Sequence, residues 1–262
     1  MAAGVDPDKS IIFVQSRVQE HSELAWLFET ITPMGELNRM TQFKEKSKEN
    51  KDYINSGLLN YPVLMTADIL LYKADAVPVG KDQEQHLELT RTIAKKFNQK
   101  FGDTFKEPKS LILKEGAKIM SLTDPKRKMS KSDDKKSYIS LFDSPEEITK
   151  KIMSATTDSG KDIKYNITKK PGISNLLTIY SLLSNQTTQE IEKMFVKKSY
   201  SEFKKSLAEV VVNYLEPFRR KQKEFSAREI YVEEILNQGK NKALVIAQET
   251  MQEVKSKMGL SS

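Results

Sequence analysis

The 262-residue chain contains no cysteine and only two histidines, His21 and His86. A disulfide framework and a cysteine-based zinc site are thereby excluded, and two imidazoles are too few for a histidine-cluster metal site. Long apolar runs are missing as well. The best candidate, residues 63–72, is short and interrupted by Asp68, well under the roughly 20 apolar residues that a membrane helix needs. The first residues show no basic stretch followed by an apolar core, and Asp6 and Asp8 argue against an organellar presequence. A cytoplasmic protein with no membrane partner is the expectation.

Charge is abundant. Lys plus Arg number 43 against 36 Asp plus Glu, a net +7, with a mean hydropathy of −0.56. That balance favours polyanionic partners without naming one. Hydrophobic residues make up 38% of the chain, enough for the core of one large domain or two modest ones.

The first half alternates short apolar strands with helical patterns, as βαβ units and a parallel sheet require. Residues 11–15 read as a first strand, 23–30 as a helix, and Ala76-Val77-Pro78-Val79 as a buried strand ending at Gly80. Asp82 is placed to cap the next helix, whose apolar positions Leu87, Ala94 and Phe97 recur at helical spacing. Strand character fades after Ser132, with residues 137–142 the last candidate. Ser144-Pro145-Glu146-Glu147 then supplies an N-cap, Pro at N1 and Glu at N3. From Pro171 onward nearly everything reads as helix. The clearest case carries Phe203, Leu207, Val210, Val211, Leu215 and Phe218 on one core face, with a kink at Pro217 and Arg219, Arg220, Lys221 and Lys223 on the solvated side.

The run Lys126-Arg127-Lys128-Met129-Ser130-Lys131-Ser132-Asp133 packs four cations and two hydroxyls into a stretch too polar and irregular for a core helix. As a generic basic octamer it reads as a solvated loop or a nucleic-acid patch. Two lysines three apart with a hydroxyl between them also suit a pyrophosphate, since they offset the charge that grows as a phosphoanhydride breaks. The full pentapeptide Lys128-Met129-Ser130-Lys131-Ser132 is the signature of class I aminoacyl-tRNA synthetases.

The rest of the chain resembles the bacterial type of tryptophanyl-tRNA synthetase in order and spacing. The resemblance runs through Gly35-Glu36-Leu37-Asn38-Arg39-Met40-Thr41-Gln42-Phe43-Lys44, Met65-Thr66-Ala67-Asp68-Ile69-Leu70-Leu71-Tyr72 and Val77-Pro78-Val79-Gly80-Lys81-Asp82-Gln83-Glu84-Gln85-His86. It continues through Thr156-Thr157-Asp158-Ser159 and Lys170-Pro171-Gly172-Ile173-Ser174-Asn175-Leu176-Leu177, and so covers essentially the whole chain. It implies an α/β fold: a Rossmann-like parallel-sheet catalytic domain over residues 1–143 and an α-helical anticodon-binding domain over 144–262. It also implies ATP-dependent activation of L-tryptophan with Mg²⁺, transfer to tRNA(Trp), and a homodimer. Lys128, Ser130 and Lys131 would be catalytic. Gly80, Asp82, Gln83, Met129, Lys46 and Gln42 would border ATP, while Asp68, Tyr61, Met65, Val77, Val79 and Gln83 would border tryptophan.

Elementary chemistry agrees with the amino acid. Tyr61, Met65, Asp68 and Tyr72 are spaced 4, 3 and 4, so a helix places them on one face. An indole offers a flat apolar surface and one N–H donor with no acceptor, which a carboxylate among Met and aromatic groups complements. Without the resemblance, the preferred reading is that Asp68 pairs with a nearby Lys or caps a helix and that Tyr61 and Met65 are ordinary core. His86 reads as a structural hydrogen-bonder. A tyrosine enzyme would share the basic loop but needs both donors and acceptors for a phenol.

One departure stands out. Class I synthetases carry a His-x-Gly-His or related glycine-rich signature at the end of their first strand, and none is found here. Met1-Ala2-Ala3-Gly4-Val5-Asp6-Pro7 resembles an interior family segment instead. The expectation is a sheet without its leading strand, apolar exposure around residues 11–14, and impaired activity for this polypeptide. The alternative is an inactive paralogue that binds RNA or a protein partner.

Overall fold

The computed structural model describes residues 1–49, 54–112 and 118–260. Along the chain run α1 (Glu20–Glu29), α2 (Met34–Arg39), α3 (Thr41–Glu49), α4 (Ser56–Leu70), β1 (Ala76–Val79), α5 (Glu84–Phe101) and β2 (Lys109–Ile112). They are followed by α6 (Pro145–Ser154), α7 (Pro171–Ser184), α8 (Thr188–Met194), α9 (Tyr200–Ser226) and α10 (Glu229–Met258). These elements form two compact units, residues 6–114 with 230–262 and residues 1–5 with 115–229, each around its own apolar core. α10 therefore packs with the sheet-bearing half, and the basic loop belongs to the helical unit. The division expected at residue 143 does not coincide with these units.

In the sheet-bearing unit β1 and β2 pair in parallel, from Ala76 opposite Lys109 to Val79 opposite Ile112. A parallel pair needs a long crossover, and α5 supplies it. Its faces sort as the spacing predicts: Leu87, Ile93, Ala94 and Phe97 are buried, and Gly102 at φ 96 ends the helix where a side chain would be strained. Phe97 meets Phe28 of α1 and Phe105 edge-on, at centroid distances of 6.1 and 5.0 Å, the favoured geometry for aromatic quadrupoles. α4 begins at Asn55, whose side chain accepts from the Leu58 N–H.

Two expected strands are absent among the described residues. At 11–15 the chain is extended at Val14 but pairs with nothing, and a 3-10 turn starts at Gln15. Apolar character makes a strand only where a neighbour completes the ladder. The Ile12 backbone instead rests on α10, where a Cβ at Gly239 would collide with the Ile12 carbonyl. Ile11 and Val14 are exposed, as expected. Residues 137–142 form turns and bends; Ser137 tucks its hydroxyl onto the Asp134 carbonyl, a local bond that competes with strand pairing.

The helical unit is built by its caps. Ser144 with Glu147, Thr187 with Glu190 and Ser199 with Glu202 each form a full capping box, starting α6, α8 and α9. Ile148, Ile152, Leu176, Leu177, Phe203, Leu207 and Val211 fill the core between these helices. α9 runs through Pro217 without ending. Arg219, expected in solvent, is buried: its guanidinium donates to the Val212 carbonyl at 2.6 Å and pairs with Glu216 at 2.7 Å. Pro217 removes the backbone donor that would meet the Asn213 carbonyl; the arginine donates instead to the neighbouring Val212 carbonyl. No helix among the described residues is long and apolar enough to cross a membrane.

Candidate active site

α4 presents Tyr61, Met65 and Asp68 at helical spacing, all partly buried; Tyr72 lies just beyond its C-terminus. Asp68 is already engaged. Its Oδ1 accepts from Gln15 Nε2 and His21 Nδ1, each at 2.6 Å. Tyr72 reaches the same cluster through His21, its hydroxyl 2.8 Å from Nε2. Burial first, then the charges of Asp68 and Glu20, push the Tyr72 phenol up to about 12. Asp68 pairs with no lysine among the described residues; histidine and glutamine hold it instead.

Tyr61 gathers a second group. Its hydroxyl lies 3.2 Å from Gln42 Oε1 and 3.0 Å from His86 Nε2, and Lys46 Nζ stands 5.1 Å from its ring centroid. His86 is buried, and burial followed by the Lys46 charge lowers its pKa, with Asp82 opposing. A neutral ring donating from Nε2 to Tyr61, which in turn donates to Gln42, satisfies every proton. Only the Nδ1 lone pair is left without a partner. His86 hydrogen-bonds Tyr61, and Tyr61 in turn meets Gln42 and Lys46, the other candidates here.

β1 delivers Val77 and Val79, partly buried against the first core, to Gly80. The next residues differ from expectation. A 3-10 turn, Lys81–Gln83, intervenes before α5, and Asp82 does not cap that helix. Its carboxylate accepts from Gln83 Nε2 at 2.7 Å and folds back over the space a Gly80 side chain would fill. Because the turn sets Asp82 two residues ahead of α5, its side chain is spent locally rather than on the helix donors. Gly80, Asp82 and Gln83 still form one edge at the strand's C-terminal end, where α/β sheets take ligands.

The loop of Lys128, Met129, Ser130 and Lys131 lies in the other unit. Its stem is an antiparallel bridge, Met120 to Lys128, with the Met129 N–H on the Ile119 carbonyl at 3.0 Å. Buried Asn175 clamps that stem, accepting from the Met120 N–H and donating to its carbonyl, both at 2.8 Å. α7 reaches this position because Pro171 opens it and Gly172 lets the Thr156 backbone pass where any Cβ would collide. The tip is different. Lys128 and Lys131 are exposed and have no ion-pair partner among the described residues, whereas neighbouring Arg127 pairs with Asp133 at 3.2 Å. The Met129 side chain lies beside Ile119, Ile139 and Leu141 in an apolar pocket of about 300 Å³.

A family model described as tRNA synthetases class I (W and Y) matches residues 1–216. The chain belongs to this family. Among curated class I relatives, tryptophan–tRNA ligase of Caldanaerobacter subterraneus is 52% identical over 261 residues, covering 99% of this chain and 79% of that protein. The Bacillus subtilis tryptophan–tRNA ligase is 50% identical, with 99% and 78% covered. In structure the chain is similar to tryptophanyl-tRNA synthetase from Campylobacter jejuni complexed with ADP and tryptophan. The TM-score is 0.87 and the identity 36%, over 99% of this chain and 80% of that one.

Three residues that hold candidate groups in place carry no local signal of doing so. Gln15 falls at the end of an apolar stretch that reads as strand, His21 is notable only as a rare imidazole, and Asn175 sits in a family motif with nothing to mark its role. Their partners lie 53, 47 and 55 residues away, beyond the reach of any local periodicity.

Proposed function

We propose that the chain acts as a tryptophan–tRNA ligase: it activates L-tryptophan with ATP to tryptophanyl-adenylate and passes the aminoacyl group to tRNA(Trp). The observation that carries this reading is the 52% identity, over 99% of the chain, to a curated tryptophan–tRNA ligase. In the first step the tryptophan carboxylate attacks the ATP α-phosphorus in line and pyrophosphate leaves. Asp68 accepts the indole N–H, with Tyr61, Met65, Val77 and Val79 as walls and Gln83 beside the substrate. Gly80, Asp82, Gln42, Lys46 and Met129 border the nucleotide. Lys128 and Lys131, with Ser130 between them, offset the charge on the departing pyrophosphate. Mg²⁺ accompanies the phosphates of ATP; among the described residues no group of three His, Cys, Asp or Glu side chains is arranged to hold a metal, and no step is assigned to it.

Residues 1–143 carry this activation and the helices of 144–262 face the tRNA anticodon, in a cytoplasmic homodimer. The other reading, a chain that only binds RNA or a protein partner, has no observation in its favour. ATP–pyrophosphate exchange that depends on L-tryptophan and not on L-tyrosine or L-phenylalanine tests the proposal. Equal exchange with tyrosine would redirect it to the tyrosine enzyme.

A further inference from the structure

Asp68 draws two donors onto one oxygen, Gln15 Nε2 and His21 Nδ1 on Oδ1. Its other oxygen, Oδ2, has no protein partner among the described residues, and the side chain is 34% exposed. A carboxylate only accepts, so His21 Nδ1 carries a proton and donates to Asp68; in the neutral ring Nε2 is then left as an acceptor. Tyr72 supplies the donor to Nε2, and its raised pKa keeps that phenol protonated. The ring is held at 4% exposure between Phe13 and Tyr72, whose centroids lie 6.0 and 5.4 Å away. Tautomer, ring plane and carboxylate rotation are therefore set together.

We infer that His21 is a positioning residue that determines specificity: with Gln15 it fills Asp68 Oδ1 and leaves Oδ2 as the one acceptor for an aromatic N–H. The inference rests on the reading of Asp68 as the indole acceptor. A carboxylate free to rotate presents two oxygens to any donor; one pinned through Oδ1 presents a single oxygen in a fixed place, matched to a ligand with one N–H and no acceptor. Selection for that ligand comes from holding the acceptor still, as preorganised sites do.

With only two histidines in the chain, ring ¹⁵N spectra resolve His21 by the signals missing from His21→Phe. A neutral ring protonated on Nδ1, with an Nε2 shift that moves in Tyr72→Phe, supports the arrangement; an Nε2-protonated ring overturns it. Calorimetry on the full chain then compares L-tryptophan with its benzothienyl analogue, in which sulfur replaces the N–H. The unsubstituted chain is expected to prefer tryptophan on the order of tenfold to a hundredfold. His21→Phe should bring that ratio near unity with little change for the sulfur analogue. A retained ratio, or an equal loss of both ligands, overturns the role of His21. A ratio that Asp68→Asn leaves intact, or no preference in the unsubstituted chain, overturns the indole reading beneath it. If His21→Phe does not fold, Tyr72→Phe serves in its place: a ratio lowered about threefold or more supports the proposal, and an unchanged one refutes it.

Discussion

Around Asp68, side chains from three places in the chain converge: Gln15 and His21 at 2.6 Å on one oxygen, and Tyr72 behind the histidine at 2.8 Å. Around Lys128 and Lys131 there is no such support; the two ammonium groups stand in solvent on a loop whose stem, not its tip, is clamped by Asn175. Choosing one amino acid among similar ones needs a fixed acceptor, because discrimination comes from leaving a wrong ligand's partner unpaired. Offsetting a charge that moves as a bond breaks needs cations that can follow it, and a point charge on a flexible stem does that. One region is rigid at the tip, the other only at the root.

Replacing the loop cations should break the comparison most strongly. Lys128→Ala and Lys131→Ala are each expected to slow ATP–pyrophosphate exchange by on the order of a hundredfold to a thousandfold, while calorimetric tryptophan affinity stays within about twofold. Rates kept near the unsubstituted value would remove the loop from the reaction. Next comes its root. Asn175→Ala leaves the Met120 N–H and carbonyl without partners, at a cost of about 3 kcal/mol of unfolding free energy. Urea unfolding measures this, and a loss under about 0.5 kcal/mol would mean that the stem holds without the clamp.

The rigid region is sharpened by a smaller change. Asp68→Asn should weaken tryptophan binding by about tenfold to a hundredfold and leave the ATP-dependent exchange rate at saturating tryptophan less affected. A loss confined to the maximal rate would contradict an acceptor role. The smallest effect separates the two units by pH. Glu202 accepts from the Ser199 backbone, Lys198 and the Ser199 hydroxyl, which hold its carboxyl down from 4.5 to about 2. Glu147 and Glu190 are lowered in the same way by their own caps. A carboxylate whose folded pKa is depressed stabilises above its unfolded value and loses that contribution as pH falls through the folded one. Helical signal should therefore soften between about pH 4.5 and 2, and Glu202→Gln should shrink the pH-dependent part of that loss. An unchanged acid profile in that variant would show that the cap contributes nothing.

Local patterns in the sequence carry several elements through unaltered. Ala76–Val79 is a strand that ends at Gly80, although it is only partly buried, with Pro78 exposed, where a buried strand is expected; the α6 capping box follows from Ser144 and Glu147 alone. The core face of α9 follows from spacing, with Phe203, Leu207 and Val211 buried. The boxes at Thr187 and Ser199 rest on the same local pattern, a hydroxyl residue three positions ahead of Glu190 and Glu202. Asp82 fails for another reason: whether a residue caps α5 depends on a 3-10 turn of three residues, and nothing in composition distinguishes that turn from the helix it precedes.

By itself, then, the sequence determined the basic loop and its spacing, the helical face bearing Tyr61, Met65 and Asp68, the strand through Val77 and Val79, and the family. The first three are local, set by residues a few positions apart; the family rests on motifs spread along the chain, and the partner of the strand, Lys109–Ile112, was not legible in the sequence. Tertiary structure alone decided that residues 11–14 rest on α10 instead of joining a sheet, that Arg219 turns inward, and that Gln15, His21 and Tyr72 together orient Asp68. Each of those outcomes depends on how the chain packs around these groups, and the cluster on Asp68 joins positions some 50 residues apart that only the packed core brings within hydrogen-bonding distance.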